Sequence, residues 1–203
     1  MTQLTIIPAT QTDIPAAVAA CVDAFHADPL MTWFFGDHAS GRDEGVKRFF
    51  TLLMAARIAL GAPVLVAKQE GSVIGLAMGY RTDRPAWPKE IDAAWAEFEA
   101  GAPQIVPRFG QYEAVSDARP PVGPHWYLGV IGVRNDRRGT GVGKALLKAF
   151  CALSDADPQS TGVYLETANP ASLRFYERNG FVIREHDVME GVGLWCVFRP
   201  SPV

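Results

Sequence analysis

Between Arg138 and Lys144 the chain reads Arg138-Gly139-Thr140-Gly141-Val142-Gly143-Lys144, three glycines held between two cationic side chains. Glycines let a backbone approach a ligand with no Cβ in the way. The first N–H groups of a helix lack partners and sit at the positive end of its dipole. Together these suit a pyrophosphate, and Arg137, Arg138 and Lys144 add charge around the same point. A plain strand-to-helix turn that needs glycine only for close packing fits the glycines equally well. Two familiar phosphate patterns are excluded by spacing. A Walker loop needs Ser or Thr after its lysine, and Ala145 stands there; a GxGxxG fingerprint fails because Gly143 is followed by Lys144, Ala145 and Leu146.

The turn must be positioned by what flanks it. Trp126-Tyr127-Leu128-Gly129-Val130-Ile131-Gly132-Val133 is a short apolar run with β-branched residues and a polar turn behind it, which reads as a buried strand. After the glycines, 144–150 places apolar residues at helical spacing. A second strand–helix unit follows. One strand spans 161–166, Asn169 can cap a helix over 170–179 with Pro170 at its first position, and Gly180 can close it. Upstream, the pattern predicts a strand over 4–7, a helix from Ile14 that ends at 26–29, and a helix over 43–60. Strands over 63–68 and 72–81 are joined by Glu70-Gly71, and two more close the chain over 181–189 and 193–199. Residues 82–124 are rich in proline, with short helices expected over 89–99 and 104–115; so long a connection is usually functional and often covers a binding site.

Arg138-x-x-Gly141-x-Gly143 after a strand ending in Val133, followed downstream by Asn169-Pro170, Phe175-Tyr176-Glu177 and Gly180-Phe181, resembles the two cofactor motifs of the GNAT superfamily of N-acetyltransferases. The resemblance implies an α/β fold, a mixed and mostly antiparallel sheet flanked by helices, as one domain over 1–203. It implies acetyl-CoA as cosubstrate and direct transfer of its acetyl group to a primary amine in a ternary complex, with no metal. Ile131, Gly132 and Val133 would pair with the pantetheine arm like an added strand. Arg138, Gly139, Thr140, Gly141, Val142, Gly143 and Lys144 would hold the pyrophosphate, and Asn169 and Ser172 would touch the cofactor. Tyr176 would protonate the leaving thiolate, and a backbone N–H near 129–131 would polarise the thioester carbonyl. The expected strand glutamate base is missing from 126–133; His125, with an ordinary pKa near ~6.5, is the candidate, against a plain strand-entry residue or a water chain. Ala24-Phe25, Asp28-Pro29, Leu165-Glu166-Thr167, Phe175-Tyr176-Glu177-Arg178 and Trp195-Cys196 further resemble the puromycin N-acetyltransferase branch.

Met31, Trp33, Phe34, Phe35, Tyr80, Trp87, Trp95, Phe109 and Tyr112 either line an aromatic acceptor pocket or fill the core. The acceptor expected is a small amine with an aromatic or apolar body. A peptide or protein amine, or a non-catalytic acyl-CoA sensor, are the alternatives. At 203 residues with 48% apolar and 20% charged residues, the chain can build a core without staples. Its net charge of −3 gives no support for a nucleic-acid partner. Cys21, Cys151 and Cys196 are odd in number and far apart, so buried reduced thiols are expected rather than disulfides or zinc. With no basic-then-apolar leader and no apolar run near ~18 residues, a cytoplasmic protein without a membrane span is expected, as monomer or homodimer.

Overall fold

The computed structural model describes residues 3–118, 121 and 123–202; Met1, Thr2, Arg119, Pro120, Val122 and Val203, which fall within readings made above, lie outside the described residues. Among the described residues, strands β1 (Thr5–Pro8), β2 (Val64–Gln69), β3 (Ser72–Tyr80), β4 (Trp126–Val133), β5 (Gly162–Thr167), β6 (Val182–Met189) and β7 (Val192–Pro200) form one sheet in the order β1-β2-β3-β4-β5-β7-β6. Helices α1 (Ile14–Ala24), α2 (Pro29–Phe35), α3 (Arg42–Ala59), α4 (Lys89–Gly101), α5 (Val106–Asp117), α6 (Val142–Asp155) and α7 (Pro170–Glu177) cover it. Every pairing is antiparallel except β4 with β5, which is the mixed sheet expected.

Both faces of the central strands are buried, so these read as continuous apolar runs. Val64, Val66, Leu76 and Met78 face one core with α1 to α5, whereas Leu65, Ala67, Ile74 and Ala77 face another with α6 and α7. Helix α6 supplies the second core because Val142, Leu146, Leu147, Phe150 and Cys151 recur on one face. Helix α2 is absent from the sequence reading, which ended a helix at 26–29. Asp28 instead starts a new one: its carboxylate accepts from the N–H groups of Leu30 and Met31 at 3.0 and 3.1 Å, with Pro29 at the first helical position.

The feature that shapes the molecule is a bulge in β4. Leu128 pairs with Gly79 and Val130 with Met78, so Gly129 has no partner on β3. One inserted residue reverses the alternation of side chains. Trp126 and Leu128 point to the α6 core, Val130 to the opposite core, and Ile131 and Val133 to the α6 side again. On its other edge β4 pairs with β5 only at Trp126–Val163 and Tyr127–Tyr164. Beyond those pairs the strands diverge, and a V-shaped opening splits the sheet.

Gly79 makes the bulge possible, since any Cβ there would collide with the Tyr127 carbonyl oxygen and approach the Phe150 ring to 2.8 Å. Gly79→Ala is therefore expected to cost about 1–3 kcal/mol of stability, read as a lower Tm or urea midpoint. An unchanged midpoint would mean that the bulge relaxes freely.

Candidate active site

A cleft of about 920 Å³ fills the opening between β4 and β5 and continues beneath α4 and α5. One end is built by the glycine turn. Asn135 donates its backbone N–H and its amide to Asp23 at 2.6 and 3.0 Å, and Arg138 Nη2 donates to the Ala24 carbonyl at 2.7 Å, so the turn is tied to the end of α1. Gly139 and Gly141 adopt φ of +76° and +90°, which other residues reach only with strain. A Cβ at either would meet nothing within 4 Å, so the glycines serve backbone conformation and leave open space above the α6 N-terminus. No side chain caps that terminus, and the first backbone bond back to Gly141 comes from Ala145. An uncapped helix start in an open cradle, with Lys144 beside it, fits an anion such as a pyrophosphate.

Ile131, Gly132, Val133, Arg138, Gly139, Gly141, Val142, Gly143, Lys144, Asn169 and Ser172 all line the cleft. Thr140 is not among the lining residues; its hydroxyl donates to the Arg137 carbonyl at 2.6 Å and closes the turn. Asn169 spends its side-chain oxygen on the Ala171 N–H at 2.9 Å, capping α7 and fixing the second wall. At Gly132 a Cβ would lie 3.1 Å from Phe25 and 3.2 Å from Ala24, so glycine lets α1 approach this strand.

The middle of the cleft carries the titratable groups. Tyr176 on α7 is buried and lines the cleft; burial first, and the Asp28 carboxylate second, push its phenol well above the ordinary range, so it keeps its proton. The sequence offered His125 as a candidate base, against a plain strand-entry residue or a water chain, and His125 is not among the residues that line the cleft. His125 lines a separate cavity of about 390 Å³ with Arg81, Arg84 and Asp117, and its Nδ1 is 2.9 Å from the Gly123 carbonyl. Burial there holds its pKa below the usual imidazole value.

Glu166 on β5 occupies the cleft instead. It follows Tyr164, the last residue of β5 paired to β4, by two positions, so it projects where the strands part. Tyr112 Oη donates to its Oε2 at 3.2 Å and lies 3.2 Å from Tyr127 Oη. Burial raises the Glu166 pKa, and the phenol donors oppose the rise only in part. A carboxyl tuned upward in an enclosed site is suited to base work near neutral pH. The signal in the sequence was Leu165-Glu166-Thr167 at a strand end, but its convergence with Tyr112 on α5, 54 positions away, was invisible there.

The far end of the cleft is aromatic. Of the stripe noted in the sequence, Met31, Phe34, Trp87, Trp95, Phe109 and Tyr112 line it, while Trp33, Phe35 and Tyr80 do not. Trp95 stacks on Phe109 at 5.5 Å, Trp87 meets Trp95 edge-on at 5.3 Å, and Phe34 meets Phe109 at 4.8 Å. Four of the six lining residues come from α4, α5 and the segment before them, so the long connection does form a wall of the cleft. Cys21, Cys151 and Cys196 are buried, and none of them forms a disulfide among the described residues. Among the described residues no helix is long and apolar enough to cross a membrane.

A seven-stranded sheet parted between β4 and β5, with an uncapped helix behind a glycine turn, defines the fold class of the GNAT acetyltransferases. The chain belongs to the Acetyltransferase (GNAT) family, whose profile matches residues 27–181. A 76-residue stretch is 37% identical to mycothiol acetyltransferase of Paenarthrobacter aurescens (strain TC1), covering 36% of this chain and 24% of that protein. The chain thus matches about a quarter of the length of that curated relative. The fold is that of a Corynebacterium glutamicum structure described as histone acetyltransferase HPA2 and related acetyltransferase, with a TM-score of 0.70, 24% identity, and coverage of 100% of this chain and 98% of that one. A Rhodopseudomonas palustris structure described as a GCN5-related N-acetyltransferase gives a TM-score of 0.61 at 16% identity, covering 98% and 97% of the two chains.

Because phenol donors favour the ionised carboxylate, Tyr112→Phe should raise the Glu166 pKa further. Carboxyl-carbon NMR of labelled glutamate across a pH series reads this directly, and an unchanged or lowered value would show that the Tyr112 hydroxyl does not bond to Glu166 in solution.

Proposed function

We propose that this protein is an N-acetyltransferase that moves the acetyl group of acetyl-CoA to the amine of a small molecule with an apolar or aromatic body. What carries the reading is one continuous cleft that joins the uncapped α6 terminus, the unpaired β4 edge, Glu166 with Tyr176, and the aromatic end. The family supports acetyl transfer as the chemistry. The backbone of 139–144 would hold the pyrophosphate, and the open edge at Ile131, Gly132 and Val133 would pair with the pantetheine arm. When bound, acetyl-CoA supplies a thioester carbonyl open to attack.

In this reading the bulge turns a backbone N–H near Gly129 toward that carbonyl, where it stabilises charge developing on the oxygen. Glu166 accepts the proton that the attacking amine must lose. The new C–N bond forms as the C–S bond breaks, and the Tyr176 hydroxyl gives its proton to the departing sulfur. His125 has no part in this account, because its ring opens onto the other cavity. A small acceptor is favoured over a protein amine because the acceptor end is walled by Trp87, Trp95 and Phe109 under α4 and α5.

Thiol release from acetyl-CoA over a panel of primary amines, aromatic and aliphatic, tests the reaction. Glu166→Gln should lower kcat/KM by about 10²–10⁴-fold, and Tyr176→Phe should lower kcat, while calorimetric binding of acetyl-CoA stays near wild type in both. The base form of Glu166 is the working one, so activity should fall as pH drops through its raised pKa, above the ordinary carboxylate range. Glu166→Gln should lose that acidic limb. Acetyl-CoA binding with no thiol release on any amine, peptide amines included, would favour a sensor; turnover confined to peptide amines would move the acceptor to protein.

A further inference from the structure

Arg57 is a buried cation with no anion beside it. It lies in the last turn of α3, is only 4% exposed, and lines the cleft. Nη1 donates to the Leu53 carbonyl at 3.0 Å, one turn back in the same helix, and the guanidinium carbon stands 4.5 Å from the centre of the Tyr80 ring. Nε is buried with no hydrogen-bond partner. Among the described residues no carboxylate pairs with it. The groups that act on its charge are the phenols of Tyr80, Tyr127 and Tyr112 and the like charge of Arg84. Guanidinium stays protonated in proteins, so the cost of burying it is not relieved by losing the proton. A ring face and one carbonyl offset that cost only in part; a buried charge normally comes with an anion.

The position of Arg57 says which anion it would suit. A Cβ at Gly129 would lie 3.0 Å from Nη2, so the guanidinium reaches the bulge of β4, where Gly129 also lines the cleft. The cationic cradle for a pyrophosphate is at the other end, at Gly139 to Lys144, and has its own charges. Arg57 bonds to Leu53 and lies over Tyr80, whose hydroxyl accepts from Trp87, and it meets the Tyr127 ring at Gly129, which places it toward the aromatic end of the cleft. Asp92, Glu113 and Glu166 line the same cleft and favour an ammonium. A guanidinium fork and carboxylates lining one cleft match a molecule that carries both signs.

We infer that the acceptor is an amino acid-like amine bearing a carboxylate on an aromatic or apolar body, with that carboxylate paired to Arg57 and its amine turned toward Glu166. This deepens the N-acetyltransferase reading and rests on it for the amine, but the carboxylate pairing can be tested without turnover.

The test compares the purified protein, saturated with CoA, for binding of matched acid and amide pairs by calorimetry: phenylalanine against phenylalaninamide, and tryptophan against tryptophanamide. The acid should bind about 10- to 100-fold more tightly than its amide. That preference should vanish in Arg57→Gln and persist in weakened form in Arg57→Lys, which keeps the charge if the glutamine variant does not fold. Equal binding of acid and amide, tighter binding of the amides, or no binding of either pair would overturn the inference. So would preferential binding of succinyl-CoA over acetyl-CoA that depends on Arg57, since the anion would then belong to the acyl donor. Thiol release with carboxylate-free amines alone would uphold the transferase and sink the carboxylate, whereas acid-selective binding without thiol release would do the reverse.

Discussion

Backbone N–H and C=O groups need partners, and a strand that lacks a neighbour on one edge is an open acceptor of another strand. In this protein that demand is left unmet inside the sheet as well as at its rim. β3 holds the outer edge of β4, β7 holds the outer edge of β5, and the two inner edges meet over only two residue pairs. The bulge at Gly129 is what drives them apart, because the inserted residue bends and twists its strand. The glycine turn at the end of β4, the capped start of α7 after β5, and Glu166 just past the point of separation are all arranged around the gap.

The gap also sets the electrostatics. Helices α4 and α5 wall its aromatic end, and charges buried there interact strongly and are costly to leave alone. Burial raises the pKa of the Glu166 carboxyl and of the Tyr176 phenol, which stays protonated. Burial does not discharge Arg57, whose guanidinium keeps its proton. A carboxyl, a phenol and a guanidinium thus line a single cleft.

The aromatic residues divide their work between core and cleft. Phe34 is 2% exposed and packs into the core beside α3, yet its ring also borders the cleft. Phe35, the next residue, is entirely core. A pocket whose walls are also the packing of α2, α3 and α5 is rigid, and changes to its lining carry the cost of core substitutions.

Much was written in the sequence, where the relevant spacing is local. The strand over Trp126–Val133, the turn from Arg138 to Gly143 and the Asn169-Pro170 helix start depend on neighbours within one or two turns, and hydrophobic period and cap chemistry expose them. The family could be read from those two motifs, of which Arg138, Gly139, Gly141, Val142, Gly143, Asn169, Phe175 and Tyr176 line one cleft. Helix α2 was legible in Asp28-Pro29 as a cap followed by proline, although the same pair also reads as a helix end. What only the tertiary structure decided were the long-range meetings. It moved His125 to another cavity, set Glu166 against Tyr112, and brought Arg57 to Gly129 across 72 positions of sequence. Which buried charges share a wall depends on how strands register and where a bulge reverses a face, and no local pattern carries that information.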